Sequence, residues 1–353
     1  MTSILNAAGV LGALALGFGI LLTIVNKVFE VPSNPKLDEV RQELPGANCG
    51  GCGFAGCDAL ADAIVSGTAR LNACPVGGNA LVEVLSEIMG VAGEADGIRN
   101  VATVVCQGSL DHCKSKFPYY AITDCVAATL VNNGNRACKY ACLGLGTCVK
   151  ACKFDAIHID DHLKIATVDP KKCQSCGMCI DACPKDVLSL QPETVAVRLL
   201  CHAAEKGFVV SDNCKSGCIG CGVCASECKF GAITMVNDLP QLDLEKCTGC
   251  MICAEVCPTS ALWADFDNRK IAEIERENCI GCGICKRLCK FGAISGEAKH
   301  PHDINPACTG CGACVVKCPK KCITLSVREH VRDANAKVGS TPPASQNADV
   351  SKE

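Results

Sequence analysis

Aromatic side chains are scarce in this chain of 353 residues, where one Trp, three Tyr and nine Phe make up 4% of the total. Rings usually contribute much of a core's buried area, so an ordinary hydrophobic interior is excluded and something else must fill part of it. There is no basic excess either: 34 Lys and Arg face 37 Asp and Glu, a formal charge of −3, which argues against a nucleic-acid partner. No G-x-G-x-x-G follows a strand pattern, and Gly144-Leu145-Gly146 lacks the third glycine. A nicotinamide site is therefore not expected in this chain. Seven His are scattered along it, with His158 and His162 reading as surface residues. No acid–base pair or activated nucleophile stands out, so no catalytic residue is assigned. Beyond Val28 no stretch is long and apolar enough to span a bilayer.

What the chain does hold is 34 cysteines. The run Cys279-x2-Cys282-x2-Cys285-x3-Cys289 has the spacing that binds a cubane [4Fe–4S] cluster. Three thiolates sit on one tight loop, and the fourth faces a neighbouring cluster. Gly281 and Gly283 let backbone amides approach the inorganic sulfurs. The same spacing recurs at Cys308, Cys311, Cys314 and Cys318; at Cys218, Cys221, Cys224 and Cys228; at Cys247, Cys250, Cys253 and Cys257; and at Cys173, Cys176, Cys179 and Cys183. A wider version runs through Cys138, Cys142, Cys148 and Cys152. Disulfides would need an oxidising compartment, and such tight triplets cannot pair locally without strain. Structural zinc prefers two separated C-x2-C pairs.

Cys218 to Cys279 and Cys247 to Cys308 are each 61 residues apart, the mark of a duplicated unit. Each pair of runs reads as a two-cluster ferredoxin domain with crossed ligation, three cysteines of one run plus the last of the other. The expected sets are Cys138, Cys142, Cys148 with Cys183; Cys173, Cys176, Cys179 with Cys152; Cys218, Cys221, Cys224 with Cys257; Cys247, Cys250, Cys253 with Cys228; Cys279, Cys282, Cys285 with Cys318; and Cys308, Cys311, Cys314 with Cys289. Further upstream, Cys49, Cys52, Cys57 and Cys74 form a separate quartet on a Gly-rich loop and complete one cubane without borrowing. Seven clusters thus use 28 cysteines as iron ligands. At −2 each in the oxidised state they bring the formal charge from −3 to about −17. Cys106, Cys113, Cys125, Cys201, Cys214 and Cys322 remain, either as buried free thiols or, in part, as ligands of an eighth cluster.

Ile4 to Val25 carries no charged side chain, and at 1.5 Å per residue its 22 residues reach ~33 Å, enough to cross a bilayer. No basic n-region marks it as a cleaved signal. Lys27, Lys36 and Arg41 follow it, which places the rest of the chain on the cytoplasmic side of a prokaryotic inner membrane as a single-pass protein. The fold class expected is α+β: one N-terminal transmembrane helix, a small four-cysteine [4Fe–4S] domain, then three tandem two-cluster ferredoxin-like domains. The boundaries read as 1–28 for the anchor and 29–92 for the first cluster domain, with a connecting segment at 93–135. Ferredoxin domain 1 takes 136–190, and a second connector 191–213. Ferredoxin domains 2 and 3 take 214–264 and 265–326, and a disordered tail 327–353. Within the first connector, Val101–Cys106 reads as a strand.

An apolar anchor, then Pro45-Gly46-Ala47-Asn48-Cys49-Gly50-Gly51-Cys52-Gly53 with Gly56-Cys57, then Cys142-Leu143-Gly144-Leu145-Gly146 with Cys148, occur in that order. Together they resemble the B subunits of Rnf ion-translocating oxidoreductase complexes, in their extended polyferredoxin form. That resemblance implies a protein without a substrate-converting site of its own. It would take electrons from soluble ferredoxin and pass them toward flavin- and NAD-bearing partner subunits of a membrane complex, coupled to Na+ or H+ transport. A polyferredoxin of a hydrogenase-type membrane enzyme, or of the related system that keeps a transcription factor reduced, is the alternative. An acidic ferredoxin calls for a basic docking surface, and Lys286, Arg287, Lys290, Lys317, Lys320 and Lys321 are the densest such group beside cysteines.

Overall fold

The structure is a computed structural model, and it describes residues 2–28, 34–93, 98–118 and 120–327. The tail expected past Val327 lies outside the described residues. The chain divides into two compact units, one built from 1–48 and 53–95, the other from 49–52 and 96–353.

The first unit opens with helix α1, Thr2–Val28. Its described side chains run unbroken only from Leu11 to Val25, 15 residues, and among the described residues no helix is long and apolar enough to cross a membrane. Leu11, Leu16, Phe18 and Leu22 on it are all exposed. Helix α2, Pro35–Glu43, starts where the Asn34 side chain accepts a hydrogen bond from the Lys36 amide and Pro35 fixes the first turn. Helix α3, Cys57–Val65, and helix α4, Gly78–Met89, complete the unit, α4 stopping at Gly90 in the left-handed region with φ 70°. Val40, Leu60, Ile64, Leu81 and Leu85 form the interior where the three helices meet. Arg41 bridges Asp58 at 3.3 Å and Asp62 at 3.8 Å, but on an exposed face where such pairs add little.

The second unit repeats one small motif three times. An outer strand leads in, an inner hairpin follows the first cysteine run, and a closing strand follows the second run and pairs antiparallel with the first. In the first copy these are β1 (Asn100–Val104), β2 (Ile157–Ile159), β3 (Ala166–Val168) and β4 (Leu188–Pro192), with β1 on β4 and β2 on β3. The second copy has β5 (Val197–Leu199), β6 (Ile233–Val236), β7 (Leu239–Leu242) and β8 (Leu262–Ala264). The third has β9 (Lys270–Ile274), β10 (Ile294–Ser295), β11 (Asp303–Ile304) and β12 (Ile323–Val327). The register is equivalent in all three: Val104 faces Leu188, Leu199 faces Leu262, Ile274 faces Ile323.

Two of these outer strands lie in segments read as connectors, β1 within 93–135 and β5 within 191–213. β1 covers most of the strand read at Val101–Cys106, whereas the three residues of β5 are too short to show a period of their own and are defined by pairing with β8. A further consequence is that 105–136 is an insertion inside the first copy, between its outer strand and its first cysteine run. It carries helix α5, Cys125–Leu130, whose N-cap Asp124 accepts from the Val126 and Ala127 amides.

The second and third copies meet through equivalent residues. Lys229 donates to the Lys290 carbonyl at 3.1 Å, Lys290 donates back to the Lys229 carbonyl at 2.5 Å, and Phe230 and Phe291 stack with centroids 6.2 Å apart. Lys290 is thereby committed to a junction and withdrawn from the basic surface expected of it.

Candidate iron–sulfur centres

The first cysteine run of each copy closes tightly because its first glycine is in the left-handed region and lies against the inner hairpin. Gly281, φ 65°, has no room for a Cβ beside the Lys299–His300 backbone. Gly144 sits in the same way against the Lys164 carbonyl, and Gly220 against that of Asp238. One turn of helix follows each loop, at Val223–Ser226, Ile284–Leu288 and Ala313–Lys317, and buries the third cysteine, Cys224, Cys285 or Cys314.

Backbone amides then point at the sulfurs. Ala156, Ala232 and Ala293 donate to the fourth cysteines Cys152, Cys228 and Cys289 at 3.4, 3.3 and 3.2 Å. Strand residues Ala102, Ala166 and Ala272 donate to Cys173, Cys142 and Cys308 at 3.4, 3.5 and 3.4 Å. Donors so placed stabilise negative charge on a thiolate or a cluster and are one means of setting its potential.

In the third copy Cys279, Cys282, Cys285 and Cys318 line one cavity, and Cys308, Cys311, Cys314 and Cys289 line another. Three cysteines of one run and the last of the other thus face a common space, as crossed ligation requires. In the second copy burial pushes the Cys253 thiol up to about 12, and Cys250, Cys247, Cys224 and Cys228 nearby add to the shift. In the first, burial raises Cys179 to about 12, with Cys173, Cys176 and Cys152 as neighbours. Such thiols hold their protons until a metal displaces them. Among the described residues no three Cys, His, Asp or Glu side chains converge as a single metal ion would need. A cubane binds one thiolate at each of four iron corners, so its ligands stand further apart than those of one zinc ion.

One set differs from expectation. Burial raises Cys148 to about 12, and the thiols that add to this are Cys142, Cys183 and Cys125, ahead of Cys179. Cys125 also acts on Cys142, and its amide donates to the Thr147 hydroxyl at 2.8 Å, one residue from Cys148. Cys138, expected with Cys142 and Cys148, instead has Cys201 and Cys214 as its thiol neighbours. The Gly144 and Gly220 contacts give the reason. They align Cys142 with Cys218 and Cys148 with Cys224, which leaves Leu145 at the place of Cys221. Cys125, the first residue of α5 in the insertion, acts on both Cys142 and Cys148 and so stands near that place. Cys138 falls four residues before the run, as Cys214 does in the second copy.

Of the N-terminal quartet, Cys57 is the first residue of α3 and its amide donates to Asn48 Oδ1 at 2.8 Å, and Cys74 is buried. Cys49 and Cys52 belong to the second unit, where the backbone of Gly51 packs on that of Cys176 and the Cys49 thiol lies near enough to act on Cys176. Cys322 sits 3.5 Å from Cys318 on the rim of its cavity. His302, 2% exposed, lines the same cavity, and its Nδ1 has no partner among the described residues. Nothing in its local sequence singles it out.

This geometry can be set beside known proteins. The chain is 44% identical over 271 residues to the B subunit of the Na(+)-translocating ferredoxin:NAD(+) oxidoreductase complex of Acetobacterium woodii, covering 76% of this chain and 80% of that one. The chain belongs to the B-subunit family of ion-translocating oxidoreductase complexes. A family member from Methanosarcina acetivorans is 42% identical, over 74% of this chain and 99% of its own length. The proton-translocating counterpart of Clostridium ljungdahlii is 39% identical over 70% and 87%. Within this B-subunit sequence, residues 44–76 match a family described as a putative Fe-S cluster. Residues 137–187, 217–261, 246–293 and 272–325 match 4Fe-4S dicluster domains. The match at 246–293 joins the last run of the second copy to the first run of the third, whereas strand pairing assigns those runs to separate copies.

Proposed function

We propose that this chain is the electron conductor of a membrane-bound, ion-translocating oxidoreductase complex, taking electrons from reduced ferredoxin and delivering them toward flavin- and NAD-bearing partner subunits, with Na+ or H+ as the ion moved. The observation that carries this reading is the pair of crossed cysteine sets lining adjacent cavities in the third copy, in a chain of the B-subunit family. The residues fit [4Fe–4S] clusters: thiols grouped by fours, buried, with amides directed at sulfur.

Six clusters occupy the three copies. Cys125, Cys142, Cys148 and Cys183 hold one, and Cys173, Cys176, Cys179 and Cys152 its partner. The second and third copies hold theirs as the crossed runs dictate. A seventh is assigned to Cys49, Cys52, Cys57 and Cys74 on their spacing and on the family match at 44–76. When bound, each cluster takes up and gives back one electron. The protein's part is to hold the clusters in sequence, exclude water from them, and tune each potential through its amide donors. Helix α1, with its row of exposed Leu, Ile and Phe, supports the membrane anchor read from the sequence, with the clusters on the cytoplasmic side.

Lys286, Arg287, Lys320 and Lys321 flank the third copy's cysteines and suit an acidic ferredoxin. Reversing all four to Glu should slow reduction by ferredoxin at low salt and flatten its salt dependence, with reduction by a small chemical donor unchanged. Ferredoxin kinetics that stay the same would place docking elsewhere. A colourless, zinc-loaded protein from strictly anaerobic purification would end the whole reading.

A further inference from the structure

Five cysteines are gathered where the insertion of the first copy meets the lead-in to the second. Cys113, Cys138 and Cys214 are buried together, with Cys106 and Cys201 packed against them. Cys113 and Cys214 come from chain segments about a hundred residues apart and are joined as an antiparallel β-bridge. Resting on the cluster reading above, we propose that Cys113, Cys138, Cys201 and Cys214 hold an eighth [4Fe–4S] cluster, which relays electrons between the first and second ferredoxin copies.

Several independent features point to a ligand here. The sulfurs receive the same kind of donors as those of the crossed sets. The Tyr140 amide donates to Cys138, the Ala203 and Cys218 amides to Cys201, and the Ser216 hydroxyl lies 3.6 Å from Cys214. The backbone is also cleared for close approach, since a Cβ on Gly108 would come within 3.3 Å of Cys113 Cβ and 3.4 Å of Cys106 Sγ. A buried cation also lies close to Cys138 along the chain. Arg136, two residues before Cys138, is 2% exposed, and its Nε and Nη1 have no partner among the described residues. It forms no ion pair with a carboxylate among the described residues, and its Nη2 reaches only the Lys164 carbonyl, at 3.3 Å. A buried guanidinium left so is costly unless an anion stands near, and a dianionic cluster provides one.

Cys106 is assigned to the border of the site. Its sulfur accepts from the Cys142 amide at 3.4 Å, so it stands between this group and the Cys142 cluster. On the other side the Cys218 amide donates to Cys201. The site therefore touches a ligand of the first copy's cluster on one flank and a ligand of the second copy's on the other. An electron arriving from one leaves to the other, with no bond made or broken in the protein.

The test counts iron and acid-labile sulfide in the anaerobically purified full chain. About 32 of each per chain are expected, against about 28 for seven clusters. The double variant C113S/C214S should fall by about four irons and lose one S = 1/2 spin of the fully reduced protein, while C322S keeps all of them. The single variant C201S, the mildest change, should give an oxidised [3Fe–4S] signal or an altered single-cluster signal. In C113S/C214S, reduction started from the third copy should stop short of the first. About 28 irons in the native chain with Cys113 and Cys214 found as a disulfide, or iron and spin counts unmoved by all of these variants, would overturn the eighth cluster and leave the other seven standing. Absence of iron altogether would end both readings.

Discussion

Replacing Lys185 by methionine should loosen the insertion from the first ferredoxin copy. The Lys185 ammonium has three N–H donors and three acceptors: Asn133 O at 2.8 Å, Asn133 Oδ1 at 2.6 Å and Lys139 O at 2.6 Å. The side chain is 7% exposed, and burial, with Lys116 adding, lowers its pKa from the ordinary value. It ties the segment bearing Cys138 to the one that follows Cys183. Methionine keeps the apolar stem but leaves three carbonyl oxygens short of a donor. Hydrogen bonds to a charged group contribute about 1.5–3 kcal/mol each, and part of this is returned because an ammonium no longer has to be buried. The net loss expected is about 3 kcal/mol, or roughly a 100-fold shift in the opening equilibrium of this region. The assay is anaerobic bleaching of the cluster absorbance in guanidinium. The first copy should bleach earlier than in the native chain, and the second and third copies at their usual concentration. K164M is the control, since Lys164 pairs with Asp161 at 3.6 Å with both side chains well exposed, and it should change little. A K185M protein within about 0.5 kcal/mol of native would refute the view that this lysine staples the insertion.

Two further outcomes follow from the sites. H302F should shift the potential of the Cys279–Cys282–Cys285–Cys318 cluster downward in an EPR-monitored redox titration and leave the others in place. An N–H directed at a cluster favours the reduced, more negative state, and His302 is the buried imidazole on that cavity whose Nδ1 is without a partner among the described residues; an unmoved titration would remove His302 from tuning. Cluster assembly into the apo-chain should be faster at pH 8.5 than at pH 7.5, approaching tenfold, because burial holds Cys148, Cys179 and Cys253 at about 12 instead of 9 and iron must displace those protons. The same shift makes the apo fold less stable as pH rises from 9 toward 12, since unfolded thiols release protons that folded ones keep. A pH-independent assembly rate would mean that thiol ionisation does not limit insertion.

The cysteine runs of the second and third copies, and their match to dicluster domains, were legible in the sequence because the ligand spacing is local. Three thiols at i, i+3 and i+6 on a Gly-rich loop wrap a cubane whatever surrounds them, and a 61-residue period shows that the arrangement is repeated. The helices of the N-terminal unit are local in the same way, as α4 shows by stopping at Gly90. Family membership also followed from short, contiguous motifs. The sequence left Cys125, Cys201 and Cys214 unassigned and grouped Cys138 with Cys142 and Cys148, because no spacing relates Cys138 to Cys201 and Cys214 or Cys125 to the Cys142 loop. Cys125 reaches the Cys142 loop only through the Thr147 hydroxyl, and Cys113 reaches Cys214 only through a bridge across about a hundred residues. Strand β5 was in the same position, since three residues have too few side chains to announce a strand and it exists because β8 is there to pair with it, whereas β1 was legible in Val101–Cys106. Whatever depends on neighbours along the chain, the sequence determined alone. Whatever depends on which segments lie side by side was decided only by the tertiary structure, through backbone hydrogen bonds and burial that leave no mark in spacing.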